Sequence, residues 1–251
     1  NDSLSEKNIV VTGGLGKIGQ IISNYLYNEN ANVIVLARLA GKPSKLIDQY
    51  REKMDLINCD LSDESSFLEA IQEIMTNYKY LHGLVTSTSY RPMTKGIDDS
   101  LENWVNSITI NSTAIYQPCK VIGKMMCKQG FGSIVNISSI YGLGSPLKSL
   151  YHDSNLSTEP DYPFLKGGTI ALTKYLASFF AEFNVRVNAI APGGVFNNQP
   201  DAFVSNYNSR IPMGRMASGL DIANAVNYLL SDQSSYVTGV VLPVDGGWTA
   251  T

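Results

Sequence analysis

Seven short β-branched runs, at 8–12, 32–37, 54–58, 83–87, 133–137, 185–191 and 240–244, alternate with stretches of helical spacing. Runs this short and this apolar suit strands covered on both faces. Helical spacing of apolar residues recurs at 18–27, 65–75, 101–126, 162–183 and 221–230, and Ser218 to Asp221 reads as a capping box for the last of these. Strand followed by helix, again and again, predicts an α/β fold: a doubly wound, parallel seven-stranded sheet with helices on both faces and right-handed crossovers. No repeat, low-complexity tract or charged linker interrupts the 251 residues, so a single domain over 1–251 is expected.

The first run opens into Thr12-Gly13-Gly14-Leu15-Gly16-Lys17-Ile18-Gly19. Glycines after a first strand and before a first helix are the context in which a dinucleotide is bound. Gly13 would make the tight turn, Gly16 would let the backbone approach a pyrophosphate, and Gly19 would let helix pack close to strand, with phosphates on the helix N-terminus. Lys17 and Ile18 lie within that loop, and Lys17 brings a positive charge near the phosphates unless it simply points to water. At the end of the second run, Ala37-Arg38 stands where an acidic residue would bond the ribose hydroxyls of NAD. An arginine instead offers a planar fork to a 2′-phosphate, so NADP(H) is expected as the preferred cofactor with NAD(H) possible; the competing reading is a solvated surface arginine. Asp60-Leu61, after the third run, is placed either to meet the adenine amino group or to start a helix.

Composition narrows the partners. A net charge of −3 leaves no basic field for nucleic acid or an anionic membrane. Residues 1–7 are polar and no stretch of about 18 apolar residues occurs, so neither a signal peptide nor a transmembrane helix is expected and the reading is cytoplasmic. Cys59, Cys119 and Cys127 are odd in number and without CxxC spacing, which argues against a disulfide framework and a zinc site.

Tyr162 precedes Lys166 by four residues and follows Ser139 by 23. A phenol and an ammonium one helical turn apart share a face, and beside a hydride carrier they make a proton-transfer site. An unperturbed tyrosine titrates near 10, too high for neutral pH, and a nearby ammonium lowers it. The chance occurrence of Tyr-x-x-x-Lys in a helix, with a core tyrosine and a solvated lysine, is the competing reading.

Together the glycine loop, Asn111, Asn136-Ile137-Ser138-Ser139, Tyr162 to Lys166, Asn188 to Gly193 and Val244-Asp245-Gly246-Gly247 make the chain resemble the short-chain dehydrogenase/reductases, compact single-domain branch. The resemblance runs over essentially the whole chain in order. It implies that Tyr162 is general acid or base, that Lys166 supports the phenolate and bonds the nicotinamide ribose, and that Ser139 polarises the substrate oxygen. It also implies that Asn111 braces a water leading from Lys166 to solvent, although that asparagine could instead cap or kink its helix. Ser139 is preferred to Ser138 because the family's serine precedes an SxxG loop, here Ser139 to Gly142. Pro192-Gly193 would lie under the nicotinamide, with the backbone of Val195 at its carboxamide.

The chain departs from the family pattern in three places. Lys17 replaces a glycine, and Thr86-Ser87-Thr88-Ser89 stands for Asn-Asn-Ala-Gly after the fourth strand, leaving the backbone of Thr86 and Ser87 as cofactor contacts. The span from Ser139 to Tyr162 is also about ten residues longer than the resemblance leads one to expect. The inserted segment, 145–161, is expected to be a mobile lid. With Tyr141, His152 and Asp153 it supplies hydroxyl-binding groups, which suits a sugar or activated sugar, as in similar dehydrogenases of bacterial surface-glycan pathways. The alternatives are a 3-ketoacyl-type reductase and a non-catalytic NADP sensor. Apolar residues spread round 162–183 predict a homodimer or homotetramer.

Overall fold

A computed structural model describes residues 4–151, 154 and 156–251; His152, Asp153 and Asn155 lie outside it. Seven strands form one sheet: β1 (Asn8–Thr12), β2 (Asn32–Ala37), β3 (Asp55–Asn58), β4 (Gly83–Thr86), β5 (Gly132–Ile137), β6 (Val185–Pro192) and β7 (Val241–Val244). Their order is β3-β2-β1-β4-β5-β6-β7, and every pairing is parallel. The expected fold class therefore stands. The order reverses between β1 and β4, and the crevice at such a switch point is where open α/β sheets bind ligands.

Among the described residues seven α-helices cross between or follow the strands: α1 (Lys17–Asn28), α2 (Ser44–Arg51), α3 (Glu64–Asn77), α4 (Leu101–Gln129), α5 (Asp161–Phe180), α6 (Asp201–Arg210) and α7 (Gly219–Leu230). On one face α3, α4 and α5 bury a cluster around Phe67, Ile122, Met126 and Leu176. On the other, α1 and α7, the latter through Val226 and Leu229, cover Val11, Val35 and Val135. Strands β1 and β4 are almost wholly buried, as their unbroken apolar runs require, whereas β7 is a half-exposed edge. That edge position accommodates Pro243, which donates no ladder hydrogen bond. The capping box at α7 forms as expected, Ser218 accepting from the Asp221 N–H and Asp221 reaching back to the Ser218 N–H.

A third, smaller cluster lies past the sheet's C-terminal edge, where Ile140, Leu150, Phe203, Tyr207, Ile211, Met216 and Trp248 pack together. It fastens the segment after β5 to α6. Leu150, inside the inserted segment, is only 3% exposed, so part of that segment is built into the wall.

Candidate active site

The glycine loop leaves β1 at this C-terminal edge. Gly13 has φ +66, and a side chain there would stand 2.9 Å from the Ser87 carbonyl oxygen, so turn and crowding both require glycine. A Cβ on Gly19 would meet the Gly13 carbonyl oxygen at 2.2 Å. The close approach that Gly19 allows is thus of helix to loop rather than of helix to strand. Gly16 caps α1 with extended backbone and no side-chain bond, leaving the helix N-terminus uncovered for an anion. Lys17 is exposed at the first position of α1, and the Ile18 side chain packs on the core below.

Beside the loop runs a groove of about 160 Å³, bordered by Gly13, Gly16, Ala37, Arg38, Lys42, Asp60, Leu61, Ser87 and Ser89. Arg38 faces Asp60 across it at 3.7 Å, and both side chains are substantially exposed, so the pair is weak and free to exchange partners. Asp60 does not start a helix. It folds a turn by accepting from the Ser62 N–H at 2.9 Å and hydroxyl at 2.6 Å, while Asp63 caps α3. Lys42, which no motif marks in the sequence, is a second cation on the groove. Thr86 points away from it, donating to Asn136 Oδ1 at 2.8 Å inside the sheet, so Ser87 rather than Thr86 borders the cofactor groove. Pro192 and Gly193 end β6 at the same edge. Val195 forms an isolated bridge with Ala217, and its carbonyl accepts from Gln199.

Further along the edge the reactive side chains converge. Ser139 leaves β5 and caps a short 3-10 turn over Ile140–Gly142, its hydroxyl accepting from the Tyr141 N–H at 3.1 Å. Ser138 is committed elsewhere, donating to the Lys166 carbonyl oxygen at 2.9 Å. Tyr162 and Lys166 project from the first turns of α5. The Lys166 ammonium is buried, donates to the Ile137 carbonyl oxygen at 2.7 Å and stands 5.6 Å from the Tyr162 ring centre. Gly142 makes this packing possible, because a side chain there would lie 2.6 Å from the Lys166 carbonyl oxygen.

Electrostatics at the phenol follow from that geometry. Burial alone pushes Tyr162 up, but the charges of Lys166 and Arg91 and hydrogen bonds from Ser139 and Arg91 outweigh it and hold the phenol below its ordinary 10.0. Burial pushes the Lys166 ammonium down; Tyr162 opposes this and Arg91 adds to it.

The Asn111 side chain is bonded within the protein. Its Oδ1 accepts from the Tyr90 N–H and its Nδ2 donates to the Tyr90 carbonyl oxygen, each at 2.8 Å, and it also bonds Ser107. The amide therefore clamps the loop after β4. Between Asn111, Asp161, Tyr162 and Lys166 a small cavity of about 10 Å³ remains, close to the minimum for a single water. Asp161, buried and bonded by the Ser107 hydroxyl, borders the same cavity.

Arg91 escaped the sequence reading. Its guanidinium lies 3.8 Å from the Tyr162 ring centre. No spacing rule links it to Tyr162, 71 positions away; only the fold brings them together. Tyr141, expected beside the site, meets Tyr162 edge-on at 6.3 Å and bonds the Tyr151 hydroxyl at 2.8 Å, which is in turn bonded by Thr158. His152 and Asp153, expected to bind hydroxyls, lie outside the described residues. Among the described residues no cluster could hold a metal, and no helix is long and apolar enough to cross a membrane.

The family model described as enoyl-(acyl carrier protein) reductase matches residues 15–249. The chain is 32% identical to a 3-oxoacyl-[acyl-carrier-protein] reductase of Chlamydia muridarum, over 98% of this chain and 99% of that one. To the post-translational flagellin modification protein A of Campylobacter coli it is 28% identical, again over 98% and 99%. In three dimensions it resembles a short chain dehydrogenase of Leptospira borgpetersenii solved with bound NAD+, with a TM-score of 0.89 and 30% identity over 99% of this chain and 94% of that one. With its parallel sheet, glycine loop and Ser139, Tyr162 and Lys166 gathered at one edge, the chain belongs to the short-chain dehydrogenase/reductase family of oxidoreductases.

Proposed function

We propose that the protein transfers a hydride between a nicotinamide cofactor and a hydroxyl or carbonyl carbon of a small polar substrate, with Tyr162 passing the proton. The observation that carries this reading is the convergence of Ser139, Tyr162 and Lys166, with the phenol held below its ordinary value, at the edge where the glycine loop opens. In reduction Tyr162 donates its proton to the nascent alkoxide while Ser139 bonds the same oxygen; in oxidation the phenolate takes the proton back. The Lys166 and Arg91 charges favour that phenolate against the cost of burial, and the small cavity gives a water a place on the way to solvent.

Gly13, Gly16 and the uncovered N-terminus of α1 would hold the cofactor's phosphates in the groove beside the glycine loop. Arg38 and Lys42 favour NADP(H), and the opposing Asp60 leaves NAD(H) usable. A hydroxylated substrate such as a sugar or activated sugar fits a wall carrying the Tyr141, Tyr151 and Thr158 hydroxyls, and the likeness to a flagellin modification protein supports it. The likeness to a 3-oxoacyl reductase favours the second reading, an acyl intermediate. Residues 145–161 act as substrate lid, and shortening them should raise the substrate KM far more than the Kd of NADP. Tyr175 and Phe179, stacked at 4.4 Å and more than half exposed on α5, support pairing of two copies through this helix, which light scattering measures.

The test is turnover of NADP(H) against sugars, sugar phosphates and 3-oxoacyl thioesters, with Tyr162→Phe as control. The variant should bind cofactor and lose at least nine-tenths of the rate, about the least expected when a proton donor is removed; a rate above a tenth of wild type overturns the assignment.

A further inference from the structure

We propose that Arg91 binds an anionic group of the substrate, a carboxylate or a phosphate carried close to the reacting carbon. The proposal rests on the oxidoreductase reading above and adds the substrate's charge to it.

The guanidinium stands 3.8 Å from the Tyr162 ring centre, and its charge helps hold the phenol below its ordinary value. A group bonded to it therefore lies next to the oxygen that exchanges the proton. The three ion pairs among the described residues are Lys7–Asp232, Arg38–Asp60 and Arg215–Asp221, so no described carboxylate pairs with Arg91. Two buried acids among the described residues of this region are already engaged: Asp161 accepts from the Ser107 hydroxyl, and Glu159 accepts from the Gly96 N–H and the Ser157 hydroxyl. Arg91 is itself exposed, so a ligand in solution can reach it.

Its mounting is rigid. Tyr90, immediately before it, is held at both N–H and carbonyl by Asn111, and Pro92 follows it. Asp99 then accepts from the Thr94 and Lys95 N–H groups and closes the loop. A preorganised planar fork beside the reacting atoms matches an oxoanion better than it matches a neutral hydroxyl. With Lys166 also present, two cations face one phenol, and a substrate bearing a negative charge balances the site.

The experiment uses the full chain with NADP(H) and matched pairs of compounds: aldonic acids against their amides, and hexose phosphates against the free hexoses. Wild type should favour the anionic member of at least one pair by about tenfold or more in kcat/KM, the pair telling carboxylate from phosphate. Arg91→Met should lower kcat/KM on that member by about a hundredfold, mainly through KM, the size expected for losing a hydrogen-bonded charge pair. The neutral member also feels the loss of the charge beside the phenol, but its kcat/KM should fall at least about tenfold less than that of the anionic member, and Arg91→Lys should restore part of the difference. Equal use of both members by wild type overturns the proposal. So does an equal loss on both with a shifted pH profile, which a cation serving only the Tyr162 phenol would produce. Cofactor binding without turnover of any anionic compound also overturns it and leaves the oxidoreductase reading standing. Failure to bind NADP(H) at all overturns that reading itself.

Discussion

Between the cofactor loop at 12–19 and the substrate wall formed by 87–99 and 139–162, the same sheet edge changes its building material from backbone to side chain. At the cofactor end the determining groups are missing side chains: Gly13 turns at φ +66 and Gly19 admits the Gly13 carbonyl oxygen. At the substrate end they are present ones: Arg91, Ser139, Tyr141, Tyr151 and Tyr162, drawn from separate stretches of chain and aimed by hydrogen bonds and ring contacts. The first arrangement is insensitive to what surrounds it, because glycine's latitude is local. The second depends on α4, α5 and the inserted segment all being in place.

Single substitutions separate the two ends. The largest effect should come from the substrate end, where Ser139→Ala removes a donor from the developing oxyanion and lowers kcat by about 10²–10³ with cofactor affinity unchanged. Ser138→Ala is its control. It deletes only the bond to the Lys166 carbonyl and should cost about 1 kcal/mol of stability in a denaturant titration, with kcat near wild type. A reversed ranking of the two serines would break the comparison.

At the cofactor end, Gly19→Ala forces a methyl against a backbone carbonyl 2.2 Å away, and neither group can yield cheaply. A loss of about 1–3 kcal/mol is expected, together with weakened NADP(H) binding in a fluorescence titration. Arg38→Asp is gentler, since the arginine is exposed and only loosely paired with Asp60. The ratio of NADP to NAD affinity should fall by about tenfold or more, the worth of a charge-assisted bond. Wild type binding NAD more tightly than NADP would contradict the role given to Arg38.

The smallest effect lies at the opposite edge of the sheet and leaves both ends alone. His82 accepts from the Asn8 N–H at 3.0 Å, and burial, helped by the Lys7 charge and opposed by Asp232, holds its imidazole below 6.5. The unfolded chain therefore takes up the proton first. The stability His82 lends is complete above about 6.5 and declines as pH falls from there toward the lower folded value. His82→Gln should flatten that part of the stability profile without altering kcat/KM at either end.

Much of the cofactor end was legible before any coordinates. The strands were placed to within about a residue, because buried parallel strands write unbroken apolar runs, and the glycine spacing carries its own stereochemistry. Two helices escaped, α2 and α6. Each is short and mostly exposed, burying only Tyr50 in the first and Phe203 and Tyr207 in the second, so no apolar stripe marks them. The resemblance implies a water-bracing role for Asn111, and only the fold shows that its side chain also clamps Tyr90. The inserted segment read as polar and loose, yet Leu150 within it is buried against α6.

By itself the sequence determined the fold class, the cofactor loop and the pairing of Tyr162 with Lys166. Each of these rests on a local pattern: unbroken apolar runs in strands, one helical turn between partners, and glycine where backbone approaches backbone. Only the tertiary structure decided which serine is free, that Arg38 meets Asp60, and that Arg91 lies on the Tyr162 ring. Those contacts join residues from 22 to 71 positions apart, where no local geometry constrains the approach and only the packing of helices on the sheet sets the distance.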